Sequence, residues 1–92
     1  MIVTTTSSIP NEEIKSIISV VHNRVVLEIS LFNGISADKL TKTTNEVIEG
    51  LTKKALELNA DALIDLKIDV VTSHIEIFVV TAIGTAVLLK TE

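Results

Sequence analysis

The sequence predicts an α+β fold in which one helix packs on an antiparallel sheet, in the order β-β-β-α-β-β. Only the stretch from Ser36 to Leu58 has apolar residues at the three- and four-residue spacing of an amphipathic helix. The remaining apolar segments are short and rich in Ile and Val, which is typical of strands. With 92 residues, the chain is expected to form a single domain, residues 1–92.

Three strands are expected before the helix. Residues 2–6 are β-branched throughout and form the first strand. Residues 14–21 and 25–31 form the next two. Residues 22–24 are expected to be the hairpin turn between them, because Asn23 tolerates a left-handed backbone.

The helix has recognisable ends and one irregular position. Ser36 can act as the N-cap, and Asn59 can take the left-handed conformation of a C-terminal cap. Gly50 lies in the middle of the helix and costs about 1 kcal/mol relative to alanine. It either allows close approach of the sheet or is a plain imperfection.

Two strands are expected after the helix. Residues 61–71 alternate between the two faces of a half-buried strand, and Thr72 and Ser73 are expected to turn the chain. A last strand follows, with a bulge or bend expected at Gly84.

A single helix can cover only one face of this sheet. The opposite face is expected to carry Val26, Leu63, Val71, Phe78, Val80 and Ala82. A large exposed apolar patch usually marks an interface, so the sequence predicts a homo-oligomer.

Composition excludes several classes of function. Lys and Arg number 8 against 12 Asp and Glu, the net charge is −4, and the aromatic residues are Phe32 and Phe78. Neither a basic stripe nor a base-stacking platform for nucleic acid is available.

The absence of Cys excludes disulfides, thiolate nucleophiles and cysteine-ligated metals. No segment approaches the roughly 18 apolar residues of a membrane span, and residues 1–6 do not resemble a signal peptide. We therefore expect a cytoplasmic protein with neither nucleic acid nor a membrane as partner.

Three segments resemble one known family. They are residues 1–6 (MIVTTT), 55–64 (ALELNADALI) and 80–87 (VTAIGTAV). Together they are similar to the YbjQ-like family, which carries the label of a heavy-metal-binding domain. The resemblance implies a dodecin-like subunit, a two-layer sandwich that assembles into rings, commonly homopentamers. It implies no settled biochemical role.

The chain departs from the family pattern at three points. Asn59 and Asp65 stand where the family usually has glycines, and the family's longer loop before the helix is reduced to residues 33–36. The cysteines that link some relatives to selenium or metal are absent. The resemblance therefore bears on fold and ring assembly more than on a ligand.

The best candidate site is a set of polar residues that the predicted alternation brings to the sheet face away from the helix. They are Glu28, Asp65, Lys67, Asp69, His74 and Glu76. Carboxylates with one imidazole can bind a divalent cation, which makes Asp65, Asp69, His74 and Glu76 the candidate metal ligands. The alternative is that Lys67 forms ion pairs with neighbouring acids across the sheet or between subunits.

No catalytic residues are predicted. Ser73 and His74 are adjacent, but neighbouring side chains on a strand point to opposite faces. No phosphate-binding glycine loop or dinucleotide motif is present. We expect a protein that is not an enzyme and has no cofactor other than a divalent cation. Two functions stay open: an oligomeric module that binds a small ligand or metal ion at subunit junctions, and a purely structural or interaction ring.

Overall fold

The computed structural model describes residues 1–28, 37–74 and 77–90, with the side chains of residues 37, 38, 73 and 74 outside the description. The elements are β1 (Ile2–Val3), β2 (Ile14–Glu28), α1 (Ala37–Glu57), β3 (Ala62–His74) and β4 (Ile77–Leu89). The sheet order is β1-β3-β4-β2, and α1 packs on one face of the sheet. This arrangement confirms the predicted α+β fold of one helix on one sheet.

Two strand boundaries differ from the prediction. β1 ends at Val3 rather than at residue 6, and it runs parallel to β3, which makes the sheet mixed. The other two strand pairs are antiparallel. β3 continues through His74, so Thr72 and Ser73 belong to a strand and not to the predicted turn.

β2 is one continuous strand of 15 residues, so the predicted hairpin turn at residues 22–24 is wrong. Asn23 lies within the strand and pairs with Ala82 of β4. Val21 and Val25 share its face of the strand and pack in the core beneath α1. The alternation of core-facing and exposed side chains is unbroken from residue 20 to residue 28. The described residues therefore contain two strands before the helix.

β3 contains a β-bulge opposite Gly84. The β3–β4 register shifts between Ile64 and Lys67, so Asp65 and Leu66 together oppose this one residue. Asp65 has a φ of 53°, the left-handed conformation in which a bulge commonly places glycine. The sequence predicted a bulge at Gly84 of β4. The structure has a bulge beside Gly84, but the extra residue belongs to β3.

The bulge shifts the side-chain alternation of β3. Leu63 precedes it and Leu66 follows it, yet both belong to the core beneath α1. In an unbroken strand, positions three residues apart would point to opposite faces. The predicted placement of Leu63 on the face away from the helix is wrong for this reason.

The predicted faces of β4 are also reversed. Val80 and Ala82, expected on the face away from the helix, are fully buried in the core beneath α1. Phe78 shares their side of the strand, since side chains two apart point to the same face. Val26 and Val71 are exposed, as predicted. In the middle of β4 the core side chains beneath the helix include the small residues Ala82 and Ala86.

The C-terminus of α1 is capped as predicted. Asn59 has a φ of 61°, and its N–H donates to the carbonyl of Leu56 (2.9 Å). The N–H of Ala60 donates to the carbonyl of Ala55 (3.1 Å), which completes a Schellman motif. The predicted N-cap, Ser36, lies outside the described residues.

Candidate functional site

Asp65, the first predicted metal ligand, binds the chain segment that follows β1. Its N–H donates to the carbonyl of Thr6 (3.0 Å), and its Oδ1 accepts from Ser7 Oγ (2.7 Å). The N–H of Leu66 donates to the carbonyl of Thr4 (3.1 Å). One carboxylate oxygen of Asp65 therefore already has a protein partner and holds this segment against β3.

The hydroxyl groups of this segment also bond to one another. Thr6 Oγ1 donates to the carbonyl of Ser8 (2.6 Å) and lies 2.8 Å from Thr4 Oγ1. The Thr6 N–H donates to Thr4 Oγ1 (3.2 Å). Because Ser7 donates to a carboxylate and no described imidazole contacts it, the segment has the hydrogen bonding of a folded turn rather than that of an activated nucleophile.

Asp69, the second predicted ligand, is exposed on the sheet face away from α1. It pairs with Thr81, which in turn pairs with Arg24. Within the described part of the chain, no group of three or more His, Asp or Glu residues is arranged to hold a metal ion. Glu76 and the side chain of His74 lie outside the described residues, so the four-residue metal site stays a prediction.

The sheet face away from α1, called the outer face here, has an apolar surface. Val20, Val26, Val71 and Ile83 are 60%, 54%, 51% and 42% exposed. Val26 pairs with Val79, and Val79 pairs with Val71, so three valines form one row across three strands. Polar and charged residues occupy neighbouring rows: Arg24 and Asp69 flank Thr81, while His22 and Lys67 flank Ile83.

Part of each sheet edge has no strand partner among the described residues. β2 pairs only with β4, and β3 beyond the bulge also pairs only with β4. Lys54 of α1 donates from Nζ to the carbonyl of His22 (2.7 Å), so one carbonyl on the β2 edge is bound by a side chain. Free edges of this kind can pair with a strand from another chain.

A groove of about 440 Å³ lies at the β2 edge, beside this Lys54 contact. It is lined by His22, Asn23, Arg24, Lys54 and Thr81. Sequence reasoning missed this groove because residues 22–24 were assigned to a turn. The signal that could have revealed it is the apolar alternation of Val21 and Val25, which continues through Asn23.

The fold and these surfaces define the class: a small two-layer α+β subunit whose outer sheet face is apolar and only partly covered. Ile9 and Ile14 pack on Ala62, Ile64 and Val87, while Val26 and Val71 stay exposed. The family model described as "Putative heavy-metal-binding" matches residues 1–90, and the chain belongs to this YbjQ-like family. No helix in the described residues is both long enough and apolar enough to span a membrane.

Two similar relatives are UPF0145 proteins of Thermotoga maritima and Thermotoga petrophila. Each is 32% identical over 104 aligned positions, which cover 98% of this chain and 98% of the relative. The alignment is longer than the 92 residues of this chain, so the relatives contain residues that have no counterpart here.

A solved structure shares the fold. It is a protein of unknown function of the DUF74 family from Pediococcus pentosaceus, with a TM-score of 0.81 and 24% identity. The match covers 98% of this chain and 98% of that one.

Proposed function

We propose that the protein is a homo-oligomeric binding module whose subunits form a ring, with the pentamer as the favoured size. The observation that supports this best is the outer face, where Val26 and Val71 are more than half exposed at the two ends of one valine row. Leaving these side chains in water forgoes roughly 25 cal/mol for each Å² of apolar surface that a neighbour could cover. A second copy of the chain provides such a cover.

The free sheet edges favour a ring over a two-fold symmetric dimer. The unpaired edges belong to different strands, β2 on one side and β3 on the other. On β2 the contact would use the part of the edge away from residues 22–24, because Lys54 already bonds to the His22 carbonyl there. Joining unlike edges gives a head-to-tail contact, which closes into a ring when the rotation between subunits allows it. The size of five rests on the family resemblance alone.

The ligand is the less defined part of this proposal. The family's heavy-metal description does not fit the residues of this chain, which has no Cys and a single Met, because soft metals prefer sulfur ligands. A site at subunit junctions would therefore use oxygen and nitrogen donors. The proposal also includes a cytoplasmic location, which cell fractionation would test.

Native mass spectrometry of protein purified without chelators tests the assembly. We expect a complex of about five times the 9.9 kDa of one chain. A constant extra mass per ring would favour the binding module, while a ring of the bare polypeptide mass would favour the purely structural ring. A monomer at micromolar concentration would contradict both.

A further inference from the structure

We propose that the groove at the β2 edge binds a small oxyanion, a carboxylate or a phosphate, through Arg24 and Lys54. This proposal deepens the proposed function, since it names the ligand class of the binding module, but it does not depend on ring size. It rests on the charge of the groove, on the hydrogen-bond donors that remain available, and on the way Lys54 is held.

The charge of the groove is opposite to that of the whole chain. The net charge is −4, yet the five lining residues include Arg24, Lys54 and His22 and no carboxylate. Two other grooves, which run along α1, are both lined in part by Glu46. A positive concavity on an acidic protein favours anions locally.

The two permanent cations of the groove have donors to spare. The side chain of Arg24 forms no hydrogen bond or ion pair with any described residue, and a guanidinium has five N–H donors. Asp69 is separated from Arg24 by Thr81 of the intervening strand β4, and it forms no ion pair with Arg24.

The ammonium group of Lys54 is fixed at the groove by the backbone. Its 2.7 Å bond to the His22 carbonyl uses one of three donors. The N–H and C=O of one strand residue point to the same side of the strand, and every second residue repeats that direction. Since the His22 carbonyl points to the free edge, the N–H groups of His22 and Arg24 point there as well. An oxyanion placed there meets backbone donors as well as two cations.

These donors suit an anion with two or more oxygens. A guanidinium bonds carboxylate and phosphate oxygens in pairs, and Lys54 contributes a second charge from the helix side. A groove of about 440 Å³ also has room for organic atoms attached to the anionic group. A soft metal cation, in contrast, would be repelled by the two charges.

The test is titration of the assembled protein with inorganic phosphate and, separately, with succinate, followed by amide NMR shifts and calorimetry. Saturable shifts are expected at His22, Asn23 and Arg24, with an affinity that falls as NaCl rises. Arg24→Gln and Lys54→Gln should each weaken binding about tenfold. The matched controls Lys15→Gln on β2 and Lys53→Gln on α1 should change it less than about twofold.

Binding by only one of the two probes identifies the anion and supports the proposal. No saturable shift up to 10 mM of either probe (roughly the weak limit of small-ligand affinity) overturns it, as does binding that persists in the Arg24→Gln and Lys54→Gln variants. Native mass spectra of the same samples report assembly separately. If Arg24→Gln dissociates the oligomer while the wild type binds neither probe, the groove is a subunit contact, and the anion proposal fails while the oligomer proposal stands.

Discussion

The side-chain amide of Asn23 lies directly against Gly50 of the helix. Asn23 Nδ2 donates to the carbonyl of Val47 (3.1 Å), so a polar side chain on the core-facing side of β2 is hydrogen-bonded to the helix backbone. A Cβ atom added to Gly50 would overlap that amide nitrogen and lie 3.1 Å from Asn23 Cγ. Gly50 therefore permits the close approach of helix and sheet, one of the two interpretations open from the sequence.

Gly50→Ala is expected to destabilise the protein by about 1–3 kcal/mol, because overpacking against Asn23 outweighs the gain in helix propensity of about 1 kcal/mol. The free energy of unfolding in urea measures this. The substitution Asn45→Ala at an exposed helix position is the control and should stay within about 0.5 kcal/mol.

The double variant Asn23→Ala with Gly50→Ala tests whether the contact is the cause. Removing the amide makes room for the new methyl group, so the double variant should be no less stable than Asn23→Ala alone. A full additional loss in the double variant would show that Gly50 is needed for another reason.

The elements fixed by local patterns could be predicted, and those fixed by long-range contacts could not. The helix and its cap at Asn59 follow from spacing and from a residue that tolerates positive φ. The strand faces were wrong at Leu63 because an aspartate, rather than a glycine, forms the bulge at Asp65. Asn23 was misplaced because its partner, the carbonyl of Val47, is 24 residues away in sequence.

For the candidate site too, composition predicted some properties, and contacts between distant residues determined others that could not be predicted. Composition alone excluded cysteine-ligated metals, and that exclusion needs no structure. The groove at the β2 edge brings Lys54 to His22 across 32 residues of sequence, and no local pattern predicts such a contact. The hydrogen bond from Ser7 to Asp65, which spans 58 residues, was missed for the same reason.

Asp65→Ala is expected to be less stable than Asp65→Gly by about 1–2 kcal/mol. Both variants lose the bond from Ser7, but only glycine adopts the left-handed bulge conformation without steric cost. Urea denaturation of the two variants gives the difference. Ser7→Ala isolates the hydrogen bond and should cost about 1 kcal/mol. Equal stability of the alanine and glycine variants would contradict the role assigned to the backbone at this position.

Val80→Asp is expected to prevent folding, whereas Val26→Asp is expected to prevent assembly. Val80 is fully buried under the helix, while Val26 is 54% exposed on the outer face. A carboxylate in the core should cost at least about 3 kcal/mol and prevent stable folding. Val26→Asp should keep the helix signal in circular dichroism but release monomers in native mass spectrometry.

Thr41→Asp adds the same charge at an exposed position of α1 and serves as the control for this pair. It should preserve both folding and assembly. An oligomer that survives Val26→Asp unchanged would remove the outer face from the proposed interface.

The last prediction concerns metal, where the family description and the residues of this chain disagree. We expect no submicromolar binding of Cd²⁺, Hg²⁺ or Cu⁺, because these ions need thiolates or closely spaced imidazoles. The chain has no Cys, one Met and two His. Any site built from the predicted ligands Asp65, Asp69, His74 and Glu76 would be rich in oxygen. It should prefer Ca²⁺, Mg²⁺ or Mn²⁺ and weaken as acid protonates the carboxylates.

Calorimetry of the assembled protein with Cd²⁺ and with Ca²⁺ measures both expectations. Asp65→Asn with Asp69→Asn should abolish any Ca²⁺ signal without disturbing the fold, since asparagine tolerates the left-handed bulge and its amide oxygen can still accept from Ser7. Submicromolar Cd²⁺ binding would contradict the hard-ligand prediction and support the heavy-metal description for this chain. Because the prediction for Cd²⁺ follows from composition, it holds whether or not the four predicted ligands meet in the assembled protein.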